Sequence, residues 1–213
     1  MNGRNITLEE FKNLIKRSTI ETVDGLQALN SEEMAFVNNI RNSIPMPNSN
    51  TILQKVLPVD KKDAFFKADG NPKKIGGYMT TAVDSKELNT YQKIYDGMRL
   101  DYKNSDFKGN ECIIIRFKSK DVGNLNIPRN KNNGGVLNDP LISDPYNKNE
   151  MPFTGNGFTA GKNGTLGVPE LKADYNMDLK IDDGAEMYLQ IGNNEEIYLG
   201  TYDMNLKVFI KKL

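Results

Sequence analysis

The sequence predicts one α+β domain over residues 1–213, with N-terminal helices followed by a split, mostly antiparallel β-sheet core. Residues 1–48 carry helix-start signals followed by apolar residues at helical spacing. Residues 50–213 are instead dominated by short β-branched and apolar runs between turn residues. A chain of 213 residues can bury a core of its own, so it requires neither disulfides nor a metal ion to fold.

Two capping boxes predict the N-terminal helices. Thr7 is followed three residues later by Glu10, and Asn30 is followed by Glu33 in the same way. Apolar residues at helical spacing then extend the first helix to about position 17. They extend the second to the prolines at positions 45 and 47.

The β-rich part begins with a strand over Thr51–Leu57 and a second strand that follows a glycine turn and ends in Thr80 and Thr81. Glu111–Phe117 is apolar enough to be buried on both faces. Short helices are expected after Asp60 and Asp84. Further strands are expected at 157–160, 165–171, 185–191, 196–202 and 206–213. Residues 119–156 are rich in Asn, Gly, Pro and Lys and predict a long loop.

Composition argues against nucleic-acid binding and removes several kinds of catalysis. The chain has 28 basic and 28 acidic residues, whereas a nucleic-acid-binding protein usually carries a basic excess, so no nucleic-acid partner is expected. It has no histidine, which removes Ser-His-Asp and Cys-His nucleophiles, histidine bases and most zinc sites. The lone Cys112 lies in an apolar run and is expected to be a buried core thiol.

Neither a membrane span nor a signal peptide is expected. No apolar run reaches the roughly 20 residues that cross a bilayer, and the first ten residues are polar. The chain is therefore expected to be cytosolic, cut from a longer protein, or delivered by a system that reads no N-terminal signal.

Three segments are candidates for chemistry. The glycine-rich stretch 154–161 is either a loop whose backbone approaches a ligand or a flexible loop beside an edge strand. Glu170 places a carboxylate in an apolar strand, so it lies either at an exposed strand end or in a working cleft. Thr80 and Thr81 place two hydroxyls after a glycine turn, a weak signal by itself because Thr is a common strand residue.

Taken in order, these segments resemble the ADP-ribosyltransferase toxins. The run 51–56 is similar to that family's first strand, 78–82 to its hydroxyl strand, and 168–171 to the motif that bears its catalytic Glu. The stretch from Asn156 to Glu170 also resembles the C-terminal ends of bacterial polymorphic toxins. The resemblance covers about residues 50–200.

The resemblance implies an NAD-consuming enzyme whose key carboxylate is Glu170 and whose site contains Thr80 and Thr81. Cleavage of the nicotinamide–ribose bond passes through an oxocarbenium-like state that a carboxylate stabilises. The same resemblance implies cofactor contacts from the following residues: Gln54, Lys55, Tyr78, Asn156 and Phe158. Lys55 would bind a phosphate, and Tyr78 or Phe158 would stack on nicotinamide. The resemblance implies that NAD is the substrate and that no metal is required.

The sequence departs from the family pattern at two positions. Gln54 or Lys55 stands where the first strand carries Arg, and Val168 stands two residues before Glu170, where many transferases carry Glu or Gln. NAD hydrolysis and transfer to an unusual acceptor therefore both stay open. The resemblance further implies delivery into a target cell, an immunity protein as partner and a possible protein acceptor. Two alternatives are a metal-independent nuclease toxin and a non-catalytic binding or structural domain.

Overall fold

A computed structural model describes residues 6–18, 29–102, 105–129, 154–173 and 177–212. The chain divides into two compact units. The first, termed the helical unit, comprises Met1–Met46, Tyr95–Asn104 and Ile127–Glu170. The second, termed the sheet unit, comprises Pro47–Ile94, Ser105–Asn126 and Leu171–Leu213. This division differs from the split near position 49 that was expected between a helical and a β-rich part, because the described residues of Ile127–Glu170 group with the N-terminal helices.

The described part of the chain contains four α-helices. They are α1 (Leu8–Arg17), α2 (Ser31–Ser43), α3 (Lys62–Phe65) and α4 (Tyr91–Gly97). Both predicted capping boxes are confirmed, since Thr7 and Asn30 accept hydrogen bonds from the N–H groups of Glu10 and Glu33, whose carboxylates reach back to the cap N–H groups. In the described part, no helix has the length and apolar character needed to cross a membrane.

Ten strands form two sheets in the described residues. They are β1 (Leu53–Pro58), β2 (Lys74–Ile75), β3 (Tyr78–Thr81), β4 (Glu111–Phe117), β5 (Leu125–Asn126), β6 (Leu171–Ala173), β7 (Leu179–Lys180), β8 (Glu186–Ile191), β9 (Ile197–Asp203) and β10 (Val208–Lys211). The larger sheet has the order β10-β9-β8-β4-β1-β3-β6-β5, and β2 pairs with β7. Every strand pairing is antiparallel. The α+β class predicted from the sequence is therefore confirmed.

Strand β4 lies at the centre of the sheet unit. Cys112 and the three isoleucines that follow it have no exposed surface, which confirms the prediction of a strand buried on both faces. One face packs with Leu53, Met187 and Phe209 into the unit's main apolar cluster. Burial raises the pKa of the Cys112 thiol to about 12, as expected for an inert core cysteine.

The helical unit has a smaller core. Ile15 of α1, Val37 of α2, Phe158 and Ala160 form its buried cluster. The rings of Phe11 and Phe158 meet edge to face, with their centroids 5.3 Å apart. The glycine-rich stretch around Phe158 therefore belongs to the core of this unit.

Several predicted elements differ from the structure. Residues 157–160 and 165–171 do not form strands but meet in one isolated bridge between Phe158 and Pro169, and β6 begins only at Leu171. Glycine explains the difference, because Gly157 has φ +86° and a Cβ on Gly167 would lie 1.7 Å from the carbonyl oxygen of Thr159. The helix expected from Asp84 begins at Tyr91, after turns. Most of the expected 119–156 loop, residues 130–153, lies outside the described residues.

Candidate functional site

The residues predicted to form a site belong to both units. Glu170, Phe158 and Asn156 belong to the helical unit, whereas Gln54, Lys55, Tyr78, Thr80 and Thr81 belong to the sheet unit. Within each unit the structure brings the predicted residues into connected segments. The two groups are described separately below.

In the helical unit, residues 156–170 fold back on themselves and are termed the Glu170 hairpin. The N–H of Thr159 donates to the carbonyl of Val168 at 2.9 Å, and the N–H of Glu170 donates to the carbonyl of Gly157 at 2.8 Å. The Val168 N–H also donates to the hydroxyl of Thr159 at 2.8 Å. These bonds fix the backbone on which the partly buried Glu170 stands.

Arg41 of α2 holds the base of this hairpin. Its Nε donates to the carbonyl of Gly157 at 2.9 Å, and its Nη2 donates to the carbonyl of Glu170 at 3.0 Å. Arg41 is 1% exposed. Sequence reasoning missed this residue, although a signal was present: Arg41 follows Val37 by four positions and precedes Ile44 by three, so it lies on the apolar stripe of the helix.

Asn156 organises the start of the hairpin. Its Nδ2 donates to the hydroxyl of Ser18 at 2.8 Å, and its Oδ1 accepts from the N–H of Phe158 at 3.0 Å. The hydroxyl of Thr154 lies 2.6 Å from both the Asn156 Oδ1 and the Phe158 carbonyl oxygen, and its single proton serves one of them at a time. The glycine-rich stretch is thus packed and internally bonded, which differs from the flexible loop that the sequence left open. An approach of its backbone to a ligand stays a prediction.

A second cationic group supports the far side of the hairpin. The Nη1 of Arg99 donates to the carbonyl of Ala160 at 3.0 Å, and its Nε donates to Asp101 at 2.9 Å. Lys162 also pairs with Asp101. Burial raises the pKa of Asp101, but the hydrogen bonds and charges of Arg99 and Lys162 outweigh burial and hold the pKa below its usual value.

In the sheet unit, the two motif strands are direct neighbours. Gln54 of β1 lies opposite Thr80 of β3 and opposite Arg116 of β4. Arg116 in turn lies opposite Glu186 of β8, and Glu186 lies opposite Thr201 of β9. Since directly opposed residues share a face of a sheet, these five form one polar row across five strands.

Arg116 is the most connected side chain in this row, and the sequence analysis did not single it out. Its Nε donates to Gln54 at 3.0 Å, and its two terminal nitrogens each bond a carboxylate oxygen of Glu196 at 2.6 Å. The guanidinium also lies 4.9 Å from the ring centroid of Tyr188. Burial, together with a hydrogen bond to Glu186, raises the pKa of Tyr188 to about 12.

The remaining predicted residues of the sheet unit make local contacts. The Nζ of Lys55 donates to the carbonyls of Gly76 and Tyr78 at 2.9 and 2.7 Å, and thereby fixes the turn before β3. The hydroxyl of Thr81 donates to the carboxylate of Asp84 at 2.6 Å and accepts from its N–H at 3.1 Å. Thr80 is buried at 2% exposure. The phosphate, stacking and hydroxyl roles of these residues stay predictions.

A cleft of about 190 Å³ lies elsewhere, between α1 and α2. It is lined by Ile6, Glu10, Asn13, Leu14, Arg17, Glu33 and Phe36. Arg17 bonds both carboxylate oxygens of Glu33 there, at 2.7 and 2.8 Å. None of the predicted site residues lines this cleft.

The described ranges hold no group of three or more Cys, Asp or Glu side chains arranged to bind a metal ion. The helical unit therefore offers the carboxylate of Glu170 on a backbone held by hydrogen bonds. The sheet unit, taken by itself, offers a row of hydroxyl, amide, guanidinium and carboxylate groups. Compared with protein-family models, curated proteins and solved structures, the chain has no significant match.

Proposed function

We propose that this protein is an NAD-consuming toxin or effector that cleaves the nicotinamide–ribose bond with Glu170 as its key carboxylate. One observation carries the proposal: the two motif strands of the sheet unit, β1 and β3, are direct neighbours, with Gln54 opposite Thr80. Glu170 is the residue immediately before β6 in the chain. The first two motifs of the resemblance therefore lie on paired strands, as the resemblance implies.

The chemistry suits a chain without histidine. Departure of nicotinamide leaves positive charge on the ribose ring, and a carboxylate held on a fixed backbone stabilises that charge without a proton transfer. Glu170 is bonded through both its N–H and its carbonyl. Its backbone therefore requires little reorganisation when charge develops in the transition state.

Hydrolysis fits the Glu170 hairpin better than transfer to a protein. The position two residues before Glu170 prepares the acceptor in many transferases, as the resemblance implies. Here it is Val168, which is apolar and 4% exposed. A buried valine can neither bond nor deprotonate an acceptor, so we propose NAD glycohydrolase activity first and ADP-ribosyl transfer second.

The proposal gives the direct NAD contact to Tyr78, which is half-buried. Four of the predicted contact residues are at most 4% exposed and would order the site rather than touch NAD: Gln54, Thr80, Asn156 and Phe158. Lys55 and Thr81 stay predicted contributors. The proposed toxin function implies two further points: the protein is delivered into a target cell, and an immunity protein blocks its activity. Only the resemblance supports these two parts of the proposal.

Nicotinamide release from NAD by the purified protein tests the proposal. Wild type is compared with Glu170→Gln, which keeps the size of the side chain but removes its charge. Loss of one group that stabilises transition-state charge lowers kcat about 100- to 1000-fold. Glu87→Gln is the matched control, because the Glu87 side chain is 86% exposed.

Release that falls in Glu170→Gln and persists in Glu87→Gln supports the proposal. Labelled NAD then distinguishes free ADP-ribose from ADP-ribose attached to protein. No release by wild type, together with no labelled protein in a cell lysate, contradicts it.

A non-catalytic binding or structural domain is the second candidate. It is favoured by the contacts of Lys55, Thr81 and Phe158, each of which holds its own unit together. Growth of a host that expresses the protein separates the candidates. Toxicity that disappears in Glu170→Gln favours the enzyme, whereas harmless expression of soluble wild-type protein favours the domain.

A further inference from the structure

Arg41 stands out because it is a nearly fully buried cation that donates two hydrogen bonds to backbone carbonyls at the base of the Glu170 hairpin. We infer that Arg41 is the positioning residue of Glu170, setting where that carboxylate stands relative to α2. The inference rests on the proposed function, since it gives Arg41 a part in NAD cleavage.

The geometry makes Arg41 a single tie across both sides of the hairpin. Gly157 is the second residue of the hairpin and Glu170 the last, and the two are already joined by the bond from the Glu170 N–H to the Gly157 carbonyl. Arg41 bonds the Gly157 carbonyl through Nε and the Glu170 carbonyl through Nη2. A guanidinium is planar and rigid, so the two carbonyls are held at a fixed separation and angle.

The burial of Arg41 indicates that this tie has a purpose beyond packing. A charged side chain is costly to remove from water unless it is well bonded, whereas an apolar residue would continue the stripe of α2 without that cost. The ring centroid of Phe158 lies 5.9 Å from the guanidinium, and this cation–π contact offsets a part of the cost of burying the charge. The two directed bonds to the Gly157 and Glu170 carbonyls therefore account for an arginine at this buried position.

Close packing makes the tie sensitive to small changes. A Cβ on Gly157 would lie 3.0 Å from Nε and 3.1 Å from Cγ of Arg41. A shorter or differently branched side chain at position 41 cannot keep both bonds. The carbonyl of Glu170 would then lose its anchor, and a displacement of about 1 Å at a reacting group lowers rates roughly 100-fold.

The test uses Arg41→Lys, which keeps the charge and all three methylenes of the side chain. Lysine has a methylene in place of Nε, and its ammonium ends about one C–N bond short of Nη2, so it cannot bond the Gly157 and Glu170 carbonyls together as the guanidinium does. Arg17→Lys is the matched control, because Arg17 belongs to the same unit but bonds Glu33. Hydrogen exchange of the amides in 157–170, thermal unfolding, and kcat and KM for nicotinamide release are measured on each.

The expected result has two parts. Arg41→Lys accelerates exchange of the Glu170 amide and lowers kcat about 100-fold with little change in KM, while Arg17→Lys changes neither. In a Glu170→Gln background the same Arg41→Lys substitution lowers the residual rate far less, because its effect acts through the carboxylate. If Arg41 were purely structural, Arg41→Lys would lower the rate of nicotinamide release by the same factor in both backgrounds.

Equal losses in the two backgrounds, or unchanged exchange in 157–170, would overturn the inference. If wild type releases no nicotinamide, the proposed function is contradicted, and so is the claim that Arg41 takes part in NAD cleavage. The exchange measurement still decides in that case whether Arg41 holds the hairpin. The two failures are therefore distinguishable.

Discussion

Gly157→Ala tests how tightly the Glu170 hairpin is packed. Gly157 has φ +86°, and an added Cβ would lie 2.3 Å from Cγ2 of Ile127 and 3.0 Å from Nε of Arg41. The left-handed backbone costs an alanine about 1–2 kcal/mol, and forcing a methyl group into a packed site costs about 1–3 kcal/mol more. The expected loss in free energy of unfolding is therefore about 2–5 kcal/mol.

Gly164→Ala is the matched control for this substitution. Gly164 has a similar φ of +78°, but no atom lies within 4 Å of the position that an added methyl group would occupy, so it should lose only the backbone cost of about 1–2 kcal/mol. Urea denaturation followed by circular dichroism measures both variants, and the difference between them isolates the packing cost. Equal losses in the two variants would refute the argument that Arg41 and Ile127 close around Gly157.

Three further predictions concern single side chains. Cys112 should not react with a thiol reagent at pH 8 in the folded protein and should react once denatured, because burial raises its pKa to about 12; rapid reaction of the folded protein would contradict this. Asp101 has a lowered pKa in the folded state through Arg99 and Lys162, so its contribution to stability is present above the ordinary carboxyl pKa and is lost as pH falls through the lowered one. In Asp101→Asn, the free energy of unfolding should therefore fall less steeply as pH is lowered in the acid range. An unchanged pH dependence would exclude a stabilising role for the contacts of Asp101 with Arg99 and Lys162. Thr81→Val should lower the free energy of unfolding by about 1–3 kcal/mol by leaving its turn partners unbonded, whereas Thr81→Ser should lose less; equal losses on thermal unfolding would show that the hydroxyl is not the cause.

Local signals predicted the two N-terminal helices well. The capping boxes at Thr7 and Asn30 depend on residues three positions apart, so the sequence contains the whole interaction. The run Glu111–Phe117 was predicted as a buried strand because apolar β-branched residues dominate it. The hairpins that join β8, β9 and β10 follow from turn residues between apolar runs.

Long-range contacts account for what the sequence could not predict. Arg41 bonds a carbonyl 129 positions later, and Arg116 bonds a carboxylate 80 positions later. No local pattern encodes either partner. The stretches around Phe158 and Val168 were mistaken for strands because their alternation of apolar and small residues arises from glycines that permit close backbone contact.

The predicted site residues also differ in how far the sequence determines their contacts. The pairing of Gln54 with Thr80 agrees with two motif strands being neighbours, as the resemblance implies. The bonds of Lys55 and Thr81 to nearby backbone and turn groups depend on side-chain placement that spacing alone does not determine. Their proposed contacts with NAD stay predictions until binding is measured.

The central place of β4 has a consequence for how the chain is made. Ile113 pairs with Leu57, which precedes it by 56 positions, and with Leu189, which follows it by 76. During synthesis from the N-terminus, one edge of this apolar strand stays uncovered until β8 has left the ribosome. Unpaired apolar edges are sites of aggregation, so translation that pauses before residue 186 should leave nascent chains dependent on chaperones.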